Sequence, residues 1–146
     1  MRQKSCVSIV CFSTSASRIA VTRCVGTSRV WEDRLLANDG AWMPLFGGTP
    51  VSYDEWTFAA MTYDGGWIKS YLDGKLDNRP GLNPYAYPEG IFDGGENGSD
   101  FTVGAVHRSG EMGNFFVGQL GGLAVFNRTL SEKEIGDIHK SVKVPK

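Results

Sequence analysis

The sequence predicts an all-β, antiparallel protein finished by one short helix. Three observations carry this. Nineteen glycines and six prolines in 146 residues fall between short apolar runs, the punctuation of a chain with many turns. Two Asp-Gly pairs, at residues 64–65 and 73–74, separate apolar runs at hairpin spacing. Helical signals are nearly absent until the end of the chain, where a capping sequence introduces the only convincing helix.

The elements follow in order. Residues 6–12 form a short apolar run, interrupted by Ser8, behind the basic start Met1-Arg-Gln-Lys and ahead of small residues at Ser15-Ala-Ser17. This outline fits either a weak secretory signal or a first strand, so residues 1–17 are set apart from a domain over residues 18–146. Residues 18–25 alternate well enough for a strand, and residues 29–36 for another after a turn at Gly26-Thr-Ser28. Asn38-Asp-Gly40 is a turn. Residues 42–46 read as a short strand interrupted by Pro44, and Gly47-Gly-Thr-Pro50 as loop.

The clearest part begins at Trp56. Trp56-Thr-Phe-Ala-Ala-Met-Thr-Tyr63 is largely apolar on both faces and is expected to be a central strand. After the turn Asp64-Gly-Gly66, the run Trp67-Ile-Lys-Ser-Tyr-Leu72 pairs back on it, with Trp67, Lys69 and Tyr71 on one face and Ile68, Ser70 and Leu72 on the other. Asp73-Gly74 then returns the chain through Lys75 and Leu76, completing a three-stranded meander. Residues 78–100 are a long irregular stretch rich in Gly, Pro, Asn and Tyr, of a length that usually marks function or mobility. Residues 101–106 resume as a strand, residues 110–114 turn, and residues 115–126 give one or two strands with glycines marking a bend or bulge. Ser131-Glu-Lys-Glu134 is a capping box, with Leu130 and Ile135 as its hydrophobic staple, opening a helix over about residues 132–140 that buries Ile135 and Ile138.

Composition excludes some functions. Fifteen basic residues oppose sixteen acidic ones with no concentration of either sign, so a nucleic-acid partner is not expected. No apolar run approaches the ~20 residues that span a bilayer. Cys6, Cys11 and Cys24 are odd in number and match no common zinc spacing, so they read as small apolar residues in or near strands.

Four segments arrive in a fixed order: Trp56 through the Tyr63-Asp-Gly65 turn, Tyr71-Leu-Asp-Gly-Lys75, Phe116-Val-Gly-Gln-Leu-Gly-Gly-Leu-Ala-Val-Phe126, and Asn127-Arg-Thr-Leu-Ser-Glu-Lys-Glu-Ile135. Together they resemble the laminin-G-like, concanavalin A-like lectin–glucanase domain family. Its pattern has a Trp-led strand ending in Tyr-Asp-Gly, a Tyr-x-Asp-Gly hairpin, a Phe-x-Gly-led apolar strand and Asn-Arg-x-Leu-Ser-x-x-Glu-Ile. The resemblance implies an antiparallel β-sandwich of the concanavalin A-like jelly-roll type with a short C-terminal helix. It also implies a sandwich incomplete at the N-terminus, because only fifty-five residues precede Trp56. Gly121-Gly122 stands where the family carries an acidic residue, a side chain that anchors a turn or ligates calcium in relatives.

Three kinds of site are weighed. A jelly-roll glycosidase needs two carboxylates ~5–10 Å apart across the scissile bond. No strand carries such a run, and Glu134-Ile-Gly-Asp137 belongs to the capped helix, so catalysis is not favoured. Asp93, Glu96, Asn97 and Asp100 crowd a glycine-rich loop whose oxygens suit Ca2+; a solvated acidic loop is the plainer reading of the same residues. Tyr85, Tyr87 and Phe92 in the long loop, with Trp67 and Trp42 as additional candidates, offer rings that stack on sugars. Tyr85 and Tyr87 serve equally well as amphipathic cover for a sheet edge. Two sequons occur, at Asn97-Gly-Ser99 and Asn127-Arg-Thr129. The expectation is a non-catalytic carbohydrate-binding or adhesion module of an extracellular or cell-surface protein, with a glycan or surface protein as partner. The alternatives are a structural or protein-interaction domain, and a glycoside hydrolase or polysaccharide lyase domain.

Overall fold

The structure, a computed structural model, describes residues 7–17, 30–36, 42–50, 56–88, 90, 106–108, 111–113 and 117–142. Ten strands and one helix follow in order: β1 (Val7–Ser17), β2 (Val30–Leu36), β3 (Trp42–Pro50), β4 (Trp56–Tyr63), β5 (Trp67–Leu72), β6 (Lys75–Leu76), β7 (Tyr85–Ala86), β8 (Val106–Arg108), β9 (Glu111–Gly113), β10 (Val117–Phe126) and α1 (Glu132–Ser141). All the pairings are antiparallel. The main sheet runs β10-β1-β4-β5-β6, with β7 also on β5; β2 pairs β3, and β8 pairs β9.

The apolar run at the front of the chain is a strand, and an interior one, since β1 lies between β10 and β4. The strand expected over residues 18–25 lies outside the described residues. β3 extends through Pro44 and on to Pro50, where loop was expected. Among the described residues its sheet has two strands, so a proline that cannot donate to the ladder costs little there. Residues 111–113, expected as a turn, form the second strand of a hairpin with β8.

The central meander sits as the Asp-Gly turns dictate. Asp73 (φ 47°) and Gly74 (φ 77°) both lie in the left-handed region, the geometry of a two-residue turn whose twist matches its strands. Asp73 also ties the turn down: its N–H donates to the Phe58 carbonyl at 2.8 Å, and its Oδ1 accepts from the Phe58 N–H at 3.1 Å. Asp64 Oδ1 accepts from the Gly66 and Trp67 amides at 2.9 and 2.7 Å. Both motif aspartates therefore hold backbone.

β4 is buried on both faces, as its largely apolar sequence requires. On one face Phe58, Ala60 and Tyr71 meet Leu130 and Ile135, with Leu76, Phe126 and Ile138 packed around them. This is where α1 docks. The capping box is complete, Ser131 Oγ accepting from the Glu134 amide and the Glu134 carboxylate accepting from the Ser131 amide. The staple residues Leu130 and Ile135 are buried, each contributing about 1.5–3 kcal/mol by leaving water. Thr129 Oγ1 donates to the Tyr63 carbonyl at 2.8 Å, fixing the strand-to-helix turn against β4. The other face carries Ala59, Met61, Tyr63, Ile68 and Leu72, all buried. Behind the meander Asp77 accepts from the Thr49 amide at 3.0 Å and from its hydroxyl at 2.7 Å, joining the end of β3 to the main sheet.

Part of the stretch expected to be irregular is ordered along β5. β6 pairs with one end of that strand and β7 with the other. Between them the Asn83 carboxamide takes the place of a peptide group: its Oδ1 accepts from the Ser70 N–H and its Nδ2 donates to the Ser70 carbonyl, both at 2.9 Å. Nδ2 also donates to the Asp77 carbonyl. The β5 edge is thereby covered, which removes a template for unwanted strand pairing.

Candidate functional site

The candidate site grows from the alternation along β5. Trp67, Lys69 and Tyr71 leave the sheet on the α1 side at intervals of ~7 Å. Tyr71 is buried beneath α1, Lys69 is half-buried, and Trp67 is 49% exposed. A half-exposed indole at the end of a well-buried strand is the largest apolar surface that the meander offers to solvent.

On the same face of the sheet lies an open cleft of about 410 Å³ between β5 and the turn that leads into α1. Its floor is Tyr71, Leu76 and Leu130, and its rim is Lys69, Thr129, Ser131, Glu132 and Glu134. Lys69 Nζ stands 4.0 Å from Asp64 Oδ2. Arg128 binds Glu134 at 2.6 Å. That contact, with the amide and hydroxyl of Ser131, lowers the Glu134 pKa from 4.5 to about 2. A carboxyl held there stays ionised at neutral pH and is no proton donor, so the general-acid half of a glycosidase pair does not come from Glu134. Burial raises the pKa of the Tyr71 phenol; a hydrogen bond with Thr62 opposes the rise, and the charges of Glu132 and Asp64 add to it. Tyr71 is therefore a neutral hydroxyl. The cleft thus offers ammonium, carboxylate and hydroxyl groups above an apolar floor, with a tryptophan face on the same side of the sheet. That combination suits a polyhydroxylated ligand with apolar C–H faces.

The residues singled out in the sequence are placed differently from one another. Trp67 faces solvent. Tyr85 is half-buried in β7. Tyr87 is only 6% exposed: its amide donates to the Gly66 carbonyl at 2.6 Å, and its own carbonyl accepts from the Tyr63 hydroxyl at 3.0 Å. Tyr87 is thus a core residue that closes the edge, the second of the two roles open to it. Phe92, Asp93, Glu96, Asn97 and Asp100 lie outside the described residues. Trp42 lies in β3, away from the meander in sequence. Sequence reasoning did not single out Lys69, Thr129 and Glu132 as site residues. Lys69 shared a face with Trp67 by simple alternation; the other two come alongside only because α1 docks on that face.

Residues 9–136 match the concanavalin A-like lectin/glucanases superfamily through its laminin-G-like family model. The chain belongs to this superfamily. The match reaches forward to residue 9, so the front of the chain is covered as well as the stretch from Trp56 that carried the resemblance. No curated protein matches the chain at a significant level. Among solved structures, a heptameric SAP-like pentraxin from Limulus polyphemus is similar with a TM-score of 0.63 at 10% identity, over 95% of this chain and 73% of that one. A Bacteroides ovatus protein assigned to carbohydrate binding is similar with a TM-score of 0.59 at 12% identity, over 90% of this chain and 40% of that one. The botulinum neurotoxin serotype G binding domain gives 0.50 at 13% identity, over 94% and 36%. At such identities the likeness is one of fold. This member of the superfamily has the antiparallel strands and short C-terminal helix of the concanavalin A-like fold.

Proposed function

We propose that this superfamily member is a non-catalytic carbohydrate-binding module of an extracellular or cell-surface protein, and that it grips its glycan on the face carrying Trp67 and Lys69. The observation that carries the reading is the exposed Trp67 indole on the same sheet face as a polar cleft. The ring supplies a stacking surface for sugar C–H groups. Lys69, Thr129 and Glu132 supply donors and acceptors for hydroxyls. The superfamily includes lectins, and one structural relative bears a carbohydrate-binding assignment.

Charge narrows the ligand. Around the cleft Lys69 and Arg128 stand against Asp64, Glu132 and Glu134, two positive groups against three negative ones. Lys69 already has a carboxylate partner, so a sulfate or uronate gains little there and meets Glu132. The ligand class is therefore a neutral glycan. Calcium is proposed for the loop of Asp93, Glu96, Asn97 and Asp100, on the donor chemistry of those side chains alone.

A glycan array holding matched neutral and anionic oligosaccharides, read with and without EDTA, tests this. Retention of neutral glycans that Trp67→Ala abolishes is the expected result. Absence of retention on every glycan sinks the module reading for that panel. Retention unchanged by EDTA, with an unchanged Tm, removes calcium from it.

A further inference from the structure

We infer that Asp64 is the positioning residue of the face that carries Trp67 and Lys69: one carboxylate oxygen presents the indole, and the other keeps Lys69 from anionic ligands. Given the glycan reading of that face, on which this rests, Asp64 sets the charge of the glycan taken there.

Asp64 holds the Trp67 backbone on both sides. Its N–H donates to the Trp67 carbonyl at 3.2 Å. Its Oδ1 accepts from the Trp67 N–H at 2.7 Å and from the Gly66 N–H at 2.9 Å. Gly65, at φ 89°, lets the turn close this tightly. Trp67 opens β5 with its ring half in water, so the direction of the indole depends on this backbone. An aspartate in a turn ordinarily does no more than that.

The second oxygen does more. Asp64 Oδ2 lies 4.0 Å from Lys69 Nζ. Lys69 leaves β5 on the same face as Trp67, ~7 Å along the strand, and lines the cleft. It is the one cation among the cleft residues, and Arg128 nearby is engaged by Glu134. The Lys69 ammonium is therefore the group that a sulfate or uronate would seek. Such an anion must displace a carboxylate that cannot swing away, because its other oxygen is tied to two amides. A neutral sugar hydroxyl has no such competitor: an ammonium carries three donors and can serve a hydroxyl while it keeps its carboxylate. The field of Asp64 also reaches the cleft floor. Burial raises the Tyr71 pKa first, and the charges of Glu132 and then Asp64 add to the rise.

Asp64→Asn separates the two tasks, since a carboxamide keeps the oxygen that the two amides need and loses the charge that faces Lys69. The probes are N-acetyllactosamine with its 6-O-sulfated form, and xylotetraose with its glucuronic acid-bearing form. Each is titrated against the wild type, Asp64→Asn, Lys69→Met and the double variant. Asp64→Asn should shift the ratio of anionic to neutral affinity at least about threefold toward the anion, the scale of a surface ion pair, with Tm within a few degrees. In the Lys69→Met background most of that shift should vanish. Hydrogen exchange at the Trp67 amide should stay slow in Asp64→Asn and accelerate in Asp64→Ala, which should also weaken neutral binding. If the wild type retains neutral glycans and Asp64→Asn leaves the ratio unmoved, the role of Asp64 is overturned and the module reading stands. An equal shift without Lys69 overturns it as well, because net charge alone then explains the change. A wild type that retains none of the probes removes this role together with the module reading for them.

Discussion

The imidazole of His139 occupies the space into which a side chain at Gly74 would project: a Cβ there would lie 2.8 Å from Nδ1 and 3.0 Å from the His139 Cβ. His139 in turn packs on Phe58, with ring centroids 5.1 Å apart. Gly74 is thus required twice, for its φ of 77° and for the close approach of α1. Gly74→Ala is expected to cost about 2–3 kcal/mol, combining the penalty of a left-handed alanine with the clash. In the His139→Ala background the ring contact disappears, leaving the backbone part and the 3.0 Å approach to the Cβ of residue 139. Urea unfolding of the two single variants and the double variant measures the coupling, and strict additivity would show that the ring does not press on the turn.

Asn83 offers a sharper test of the β5 edge. It is fully buried, and its carboxamide serves both peptide groups of Ser70 as well as the Asp77 carbonyl. Asn83→Ala leaves a buried amide and two carbonyls without that partner, and should lower stability by about 3 kcal/mol. Asn83→Asp keeps the shape and the acceptor but loses both donated bonds, so it should not rescue. Chemical denaturation reads both, and hydrogen exchange at the Ser70 amide should accelerate more in Asn83→Ala, which alone removes its acceptor.

Two aromatic substitutions separate binding from folding. Trp67 is half exposed, so Trp67→Ala should leave Tm within a few degrees while abolishing glycan retention. Tyr87 is buried and carries the Tyr63 contact on its carbonyl, so Tyr87→Ala should cost about 3 kcal/mol through its cavity. Should Tyr87→Ala instead abolish binding at full stability, the glycan would lie on the β7 side and not in the cleft.

The helix cap sets a pH dependence. Glu134 is held at about 2, below its ordinary 4.5, by Arg128 first and by Ser131 next. A depressed carboxylate pKa contributes stability that is complete above the unfolded value and lost as pH falls through the folded one. The loss therefore falls between about pH 4.5 and pH 2. Carboxyl NMR titration should find Glu134 protonating well below free glutamate, and Arg128→Ala should move it upward. Because the pair lies at the surface, added salt should shrink the shift.

Much of the fold was legible because its signals are local. The Asp73-Gly74 turn, the β4 run and the Ser131–Glu134 box each need only neighbours in the chain, so turn chemistry, alternation and capping place them. Even the irregularity in the pairing of β1 with β10 was signalled, since Gly121-Gly122 breaks an otherwise apolar strand. The role of Tyr87 was not legible, because a tyrosine between prolines suits a sugar platform and a sheet edge equally; only the burial of its ring decides.

By itself, the sequence determined an antiparallel β protein, its central meander, its capped helix and its superfamily. These depend on backbone geometry and on patterns of period two, which nearest neighbours impose. The tertiary structure alone decided which of two chemically equal surfaces each residue takes. It turned Trp67 out and Tyr87 in, set Thr129 and Glu132 beside Lys69 by docking α1 on that face, and gave the β5 edge to Asn83. The reason is physical: burial and adjacency arise from contacts between segments distant in the chain, and no local pattern encodes which segments meet.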